Sequence, residues 1–299
     1  MKIQEIDTEY GALKYTIVGN CIMIVEYRGR DISLTIPVSI EAKPVTIIGK
    51  KAFLAAKELK EVVLPENIDV IQDWAFASCR NLEVITLPRR KIEIGQGILK
   101  DCDKLSQIVP VGGNATFSYL LAAAMNKLDA FYLFSPEDAG SESWLEQWDA
   151  KMCSLMERDD TEGFSKMLLC GEEDYGSREN NLDYYVEQRR RFKVRLAMLR
   201  LMYDTGLKAS VKDMLLTYLR SHKKGEKSEE TWKVVLEEHG DEREYYQFLL
   251  DNECITKENI DAVLDDMGEN HAEMKAFLIN YRSTNFQNGD EFAALEFEI

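Results

Sequence analysis

One arrangement of apolar and polar positions occurs three times between residues 48 and 108, with a period of 23 residues. The repeated apolar positions form five columns: Ile48, Ile71 and Ile94; Phe53, Phe76 and Leu99; Ala56, Cys79 and Cys102; Leu59, Leu82 and Leu105; Val62, Ile85 and Ile108. A unit of this length cannot bury a core of its own, so neighbouring units have to stack. The pattern therefore predicts a solenoid, in which each column forms a line of side chains along the stack.

The repeating unit also contains a short segment with the pattern of a β-strand. In the first unit Val62 and Leu64 lie two positions apart, so both side chains point to the same face of a strand. Pro65 follows, and because proline has no N–H to donate to a ladder, it ends the strand. We therefore predict one strand per coil, with large side chains such as Phe53 and Phe76 filling the interior from the opposite wall.

The strand residues that flank the inward column point out of the predicted solenoid. They are Ser33, Thr35, Glu61, Val63, Val84, Thr86, Gln107 and Val109. We call these eight residues the strand strip. Its side chains are small and rather apolar, which is typical of a surface that binds a protein partner. A second interpretation is that the strip packs against the rest of the same chain, and the sequence leaves both open.

The repeats resemble the BspA-type (Treponema-like) leucine-rich repeat, whose coils read roughly IP..V..IG..AF..C..L..V.IP. The resemblance covers about residues 10–110 and includes the lead-in strand with its Leu-Thr-Ile-Pro sequence at 34–37. It implies a β-solenoid and a role in binding proteins, because the family is largely known from surface-exposed bacterial proteins that adhere to other proteins. Gln72 and Leu99 depart from the usual glycine and phenylalanine, and we expect the third coil to be a degenerate capping coil.

From residue 114 onward the apolar residues recur at three- and four-residue spacing, which predicts helices. Apolar triplets at 167–169, 214–216, 248–250 and 277–279 suggest a weaker repeat of helical hairpins. The last two pairs are predicted at 231–239 with 242–251 and at 259–267 with 272–281. Asn259 and Asn270 are suitable N-caps. These hairpins resemble degenerate ankyrin repeats without their Thr-Pro-Leu-His signature, so a generic α-solenoid or an irregular bundle stays open.

Charge and proline content change at the same place as the pattern. Basic and acidic residues balance over 1–113, so residues 114–299 carry the whole net charge of −16. We therefore predict an α+β protein with three parts: a leucine-rich repeat domain with N-terminal cap strands over 1–113, an acidic helical, ankyrin-like domain over 114–286, and an acidic tail over 287–299. In the tail, apolar residues alternate with glutamates as in a strand, a pattern suited to adding to a sheet edge, although such an end is more often flexible.

The composition argues against a membrane protein. The mean hydropathy is −0.31, and no apolar run approaches the roughly 18 residues that a membrane-spanning helix needs. The first 20 residues include Glu5, Asp7 and Glu9 and lack the basic-then-apolar pattern of a secretory signal. We expect a cytoplasmic protein.

Residues that could carry chemistry are few. Cys79 and Cys102 share a column in which related repeats have a small buried residue, so buried free thiols are favoured over disulfides. The 3 histidines lie in no zinc-binding motif, and the sequence contains no phosphate-binding glycine motif. Asp159 and Asp160 are expected to be solvated at a helix end. We predict no catalytic residue, no cofactor and no metal site.

Six basic residues cluster on one predicted helix: Arg189, Arg190, Arg191, Lys193, Arg195 and Arg200. Such a cluster can bind nucleic acid, but the acidity of the surrounding sequence favours ion pairs with the chain's own carboxylates. The sequence therefore predicts a non-enzymatic module that binds a protein partner, with no nucleic acid and no membrane, and leaves the oligomeric state open. A secreted or surface-attached adhesin is the main alternative, and an enzyme with an unrecognised site is the other.

Overall fold

The computed structural model describes residues 2–113, 115–165 and 181–286. The predicted triplet at 167–169 and the tail at 287–299 lie outside these ranges. The contacts of the chain divide it into two compact units, Met1–Cys153 and Ser154–Ile299. Secondary structure changes from strand to helix at residue 115, whereas the boundary between the two compact units follows residue 153. The domain limits predicted from the sequence stay a prediction.

Eleven short strands form the first part of the described chain. They are β1 Ile3–Asp7, β2 Gly11–Val18, β3 Cys21–Gly29, β4 Ser33–Thr35, β5 Ser39–Ile40, β6 Lys43–Ile48, β7 Glu61–Val63, β8 Val70–Ile71, β9 Val84–Leu87, β10 Glu93–Ile94 and β11 Gln107–Pro110. One sheet has the order β1-β2-β3-β6-β8-β10, with β5 paired to β6, and the other has the order β11-β9-β7-β4. The pairs β4–β7, β7–β9 and β9–β11 are all parallel. The predicted β-solenoid is confirmed.

The period of the sequence is the register of the stack. Val62 lies opposite Ile85, and Ile85 lies opposite Ile108, each one period further along the chain. On its other side Val62 lies opposite Leu34 of the lead-in strand, which stands outside the 23-residue period. All four of these side chains are at most 5% exposed. The column that begins at Ile48 lies in the other sheet and continues through Ile71 and Ile94, as predicted.

Aromatic rings form a second line through the interior. The rings of Phe53 and Phe76 stack with centroids 4.8 Å apart, and Tyr27 stacks on Phe53 at 5.4 Å. The backbone repeats with them, because the N–H of Phe53 donates to the carbonyl of Ala75 at 2.7 Å and that of Phe76 to Ile98 at 2.9 Å. Tyr27 precedes the three repeated units, so the period alone did not place it in this line.

The two cysteines of the repeat bind the coil before them. The Cys79 thiol donates to the carbonyl oxygen of Phe53 at 3.0 Å, and the Cys102 thiol donates to that of Phe76 at 3.2 Å. Burial raises the pKa of Cys79 to about 11 and that of Cys102 to about 12. Both are free and buried, which confirms the prediction and keeps the thiols protonated as donors.

This burial predicts a selective pattern of alkylation. With iodoacetamide at pH 8, we expect Cys79 and Cys102 to stay unmodified in the folded protein, because the thiolate is the reactive form and both thiols are buried. Cys21 and Cys153 are partly exposed and should react under the same conditions. Peptide mass spectrometry reads out each site, with urea-unfolded protein as the control in which all four react. Alkylation of Cys79 at the rate of Cys21 in folded protein would contradict the prediction.

Helices continue the first unit beyond the last strand. Helix α1 (Ala115–Asn126) packs on β11, and the Asn126 side chain donates to the Leu105 carbonyl at 2.6 Å. Helix α2 (Glu142–Met156) packs on α1 through fully buried Trp148, whose indole donates to the Leu120 carbonyl at 2.9 Å. A short 3-10 helix, Phe131–Leu133, lies between them. The third coil is therefore the last one, and α1 covers its strand.

The second unit is helical over its described residues. It contains α3 Leu182–Met202, α4 Ala209–Arg220, α5 Glu230–Glu238, α6 Arg243–Asp251, α7 Ile260–Asp266 and α8 Ala272–Asn285. The two predicted helix pairs are confirmed as helices, and their likeness to ankyrin repeats stays a prediction. Trp232 of α5 and Tyr246 of α6, both almost fully buried, meet edge to face with centroids 6.2 Å apart.

The two predicted N-caps have different outcomes. Asn259 precedes α7 as predicted, but its side chain accepts from the N–H of Thr256 and donates to the carbonyls of Lys224 and Cys254 rather than capping the helix. Asn270 is not the N-cap of α8. His271 takes that position in a left-handed conformation, with φ 54°.

Candidate functional site

The register brings all eight residues of the strand strip onto one face. They form two rows across β4, β7, β9 and β11. The first row is Ser33, Glu61, Val84 and Gln107, and the second is Thr35, Val63, Thr86 and Val109. Between the rows, each strand turns one apolar side chain inward. The strip is thus a narrow, flat surface on a sheet whose strands are fixed by the stack.

The strip is more open at one end than at the other. Ser33, Thr35 and Glu61 are exposed, whereas the other five residues of the strip are half-buried. At the other end, the Gln107 side chain accepts a hydrogen bond at 3.3 Å from Ser118 of α1. Helix α1 therefore borders the strip at β11.

Charge is almost absent from the strip. Glu61 is its one charged residue, and the Ser33 hydroxyl donates to that carboxylate at 3.4 Å. Beside the strip, Lys60 and Glu83 form an ion pair at 3.2 Å, one coil apart. In a chain with a net charge of −16, this face is suited to contacts through shape and small β-branched side chains rather than through charge.

A groove lies beside β4, outside the repeat pattern. It has a volume of about 650 Å³ and is lined by Glu9, Tyr10, Arg30, Ile32 and Ser33; we call it the edge groove. Tyr10 is 65% exposed and Ile32 is 60% exposed. Sequence reasoning missed these residues, because Tyr10 lies in a turn between β1 and β2 and follows no period.

A buried carboxylate fixes the turn that carries Tyr10. Asp31 is 2% exposed and accepts hydrogen bonds from the Thr8 hydroxyl at 2.7 Å, the Tyr10 N–H at 2.9 Å and the Tyr27 hydroxyl at 2.9 Å. Burial alone would raise the pKa of Asp31, but these hydrogen bonds together outweigh it and lower the pKa. Burial and the bond to Asp31 raise the pKa of Tyr27 to about 12. The charged acceptor and the neutral donor therefore persist at neutral pH.

Four of the six basic residues of the α3 cluster form ion pairs within the second unit: Arg190, Arg191, Lys193 and Arg195. Arg200 donates instead to the backbone carbonyls of Tyr203 and Thr205. Arg190 and Lys193 both contact Asp160, at 2.9 Å and 2.8 Å. Arg195 makes two hydrogen bonds to the Glu238 carboxylate, at 2.7 Å and 2.5 Å. These contacts confirm the prediction of ion pairs with the chain's own carboxylates.

The same contacts overturn the expectation for Asp160. The sequence placed it with Asp159 at a solvated helix end, but its carboxylate is only 21% exposed and lies between two cations. Burial alone would raise the pKa of Asp160, whereas the hydrogen bonds from Lys193 and Arg190 together lower it. The partners are separated by 30 residues or more along the chain, so local pattern contained no signal for them.

Residues 2–113, 115–165 and 181–286 contain no group of three or more His, Cys, Asp or Glu side chains arranged to hold a metal ion. Among the helices of those ranges, none combines the length and the apolar character required to cross a membrane.

Residues 32–132 match the model of the BspA type leucine rich repeat region, in six copies. The match to this leucine-rich repeat extends past the last strand and includes α1. Among curated proteins, none matches the chain.

Solved leucine-rich repeat structures show similarity to 36–38% of the chain. A leucine rich cell surface protein from Faecalibacterium prausnitzii A2-165 is 24% identical, with 36% of this chain and 30% of that chain covered and a TM-score of 0.31. A leucine rich repeat protein of T. pallidum is 23% identical over 36% of this chain and 73% of its own, with a TM-score of 0.26. One from Bacteroides capillosus ATCC 29799 is 24% identical over 38% and 91%, with a TM-score of 0.30.

Proposed function

We propose that this protein is a non-enzymatic module that binds a protein partner through the strand strip. The observation that carries the proposal is the strand register, which aligns eight side chains, seven of them uncharged, in two rows. The match to a leucine-rich repeat model supports it, since repeat solenoids commonly use extended surfaces for binding.

The rigidity of the strip also supports a binding role. Every strand of its sheet is paired in register, and the coils behind it are packed by apolar columns that are almost completely buried. Valine and threonine have few χ1 rotamers to lose. A surface that is already ordered loses little conformational entropy on binding, so more of the contact energy contributes to affinity.

Site-specific photo-crosslinking in the cells that naturally produce the protein tests this function. A photoreactive residue at Val63 or Thr86 should give a discrete crosslinked species, and the substitution Val84→Arg should remove it by placing a charge in the neighbouring row of the strip. The matched control is the same photoreactive residue at Leu54, which is 46% exposed on a turn of the solenoid. Equal crosslinking at Leu54, or an unchanged product in Val84→Arg, would contradict the proposal.

A second candidate is a surface-located adhesin, which the match to the BspA type repeat favours. The two candidates share the strand strip and differ in location, since the sequence pattern favours the cytoplasm. Protease treatment of intact cells distinguishes them. Degradation of the full chain before lysis would support the adhesin, and protection until lysis would support a cytoplasmic module.

A further inference from the structure

The strand strip is too small to bind a partner alone. Four strands about 4.8 Å apart, with three residues of about 3.3 Å each, give a footprint on the order of 150 Å². One side of a stable protein–protein interface covers about 800 Å². A partner that binds the strip therefore has to extend over one of its borders.

The structure favours the border at β4. At the other end, α1 packs on β11 and its Ser118 contacts Gln107. At the β4 end, Tyr10 and Ile32 are 65% and 60% exposed, and Val38 is 55% exposed. Tyrosine is among the residue types that contribute most to protein–protein affinity, and Ile32 and Val38 add exposed apolar area to the same end.

The backbone of β4 has an unused hydrogen-bonding edge. In the described residues the sheet ends at β4. The Ile32 carbonyl accepts from the N–H of Lys60 at 2.8 Å, and the Ile36 N–H donates to Val63 at 2.9 Å, so both groups point toward β7. Because alternate residues of a strand direct their N–H and C=O groups to opposite sides, those of Ser33 and Thr35 point away from β7. An edge of this kind is a template for a further strand.

We propose that the partner adds an extended segment to the β4 edge and inserts an apolar side chain of that segment into the edge groove. The edge and the strip then form one continuous binding surface, so this proposal rests on the proposed function. The occupant is a strand with alternating apolar residues, since such a strand pairs by its backbone while alternate side chains enter pockets. The buried carboxylate of Asp31 fixes the turn through the backbone N–H of Tyr10. The exposed ring of Tyr10 therefore stays available to contact the added strand.

A second copy of the chain is a weaker occupant. Head-to-tail stacking would require the β11 edge of one copy to meet the β4 edge of the next, but α1 packs on β11. A symmetric β4–β4 contact would join two strands of only three residues each.

The repeat itself supplies a probe for the β4 edge. In β7, the carbonyl of Lys60 and the N–H of Leu64 both bond to the β9 side. The N–H of Val62, which lies between them, therefore also points toward β9. A fluorescein-labelled peptide of residues 59–65 should bind the β4 edge of the full chain in the same way. Its matched control is the same peptide with N-methylated Val62, which lacks that N–H.

Fluorescence anisotropy of the full chain with these two peptides tests the proposal. We expect saturable binding of the 59–65 peptide, weakened about tenfold or more by N-methylation and by the substitution Tyr10→Ala. The control substitution Leu54→Ala, at another exposed apolar side chain, should leave binding unchanged. An isolated strand is expected to bind with a Kd on the order of 1 mM or lower. Absence of binding at peptide concentrations up to about 1 mM, or equal binding of the N-methylated peptide, would overturn the proposal.

Two further outcomes separate this proposal from others. If sedimentation shows a dimer that Ile32→Arg dissociates, the edge is occupied by a second copy and the proposal of a partner strand is wrong. If crosslinking at Val63 succeeds while the peptide fails to bind, the proposed function stands and the edge proposal is overturned. If neither the crosslink at Val63 nor binding of the peptide is observed, both the proposed function and the edge proposal are wrong.

Discussion

Replacing Phe76 by alanine should lower the free energy of unfolding of the solenoid unit by about 3–5 kcal/mol. Phe76 is completely buried, and its ring stacks on Phe53 with centroids 4.8 Å apart. The substitution removes the last ring of the stacked line that runs from Tyr27 through Phe53 to Phe76. The surrounding coils are tied to one another by backbone hydrogen bonds on both walls, so they cannot easily close the cavity.

Urea unfolding followed by circular dichroism measures the effect of Phe76→Ala. The midpoint should fall while the slope of the transition stays the same, which identifies a loss of stability rather than a change in the unfolded state. Leu54→Ala is the matched control, because Leu54 lies next to Phe53 in sequence but is 46% exposed. A loss below about 1 kcal/mol for Phe76→Ala would show that the coils do collapse around the missing ring.

Replacing Asp160 by alanine should destabilise the helical unit by about 3 kcal/mol. The substitution leaves Lys193, which is 4% exposed, without the carboxylate that lies 2.8 Å from its ammonium group. A buried charge that loses its partner costs more than the pair contributes, because the remaining ion stays desolvated. Asp159→Ala is the matched control, since Asp159 is exposed and bonds within its own turn to Thr161.

Thermal unfolding at several pH values checks the Asp160 prediction. The pKa of Asp160 is lowered from its ordinary value of 3.8, so its contribution is present above that value and is lost as the pH falls through the folded-state pKa. The difference between the wild type and Asp160→Ala should therefore be largest at pH 6 and should shrink below pH 4. A constant difference between pH 6 and pH 2 would contradict the ion-pair explanation.

The parts of the fold that repeat could be predicted from the sequence. Each coil contacts the next through the same columns, so a period in the chain becomes a register between strands. Val62, Ile85 and Ile108 are one example. The helices of the second unit could also be predicted, because their apolar spacing is local.

The features that could not be predicted depend on contacts between distant positions that do not repeat. Asp160 meets Lys193 across a separation of 33 residues, and Asp31 fixes the turn of Tyr10 across a separation of 21. Either carboxylate, seen in the sequence alone, is typical of a solvated surface residue. Six of the eight residues of the strand strip were found because they follow the period in β7, β9 and β11, and Ser33 and Thr35 because they flank the inward Leu34. The edge groove was missed because Tyr10 follows neither pattern.

The constant 23-residue offset makes the coil count of this solenoid adjustable. The strand pairings among β7, β9 and β11 recur with this spacing, whereas the β4 edge and helix α1 each occur once, at opposite ends of the stack. Duplicating an internal coil would therefore lengthen the molecule while leaving both termini of the stack intact. Each added coil would contribute two outward side chains to the strip. The strip can therefore become longer by one strand at a time, while the other coils and both ends of the stack stay the same.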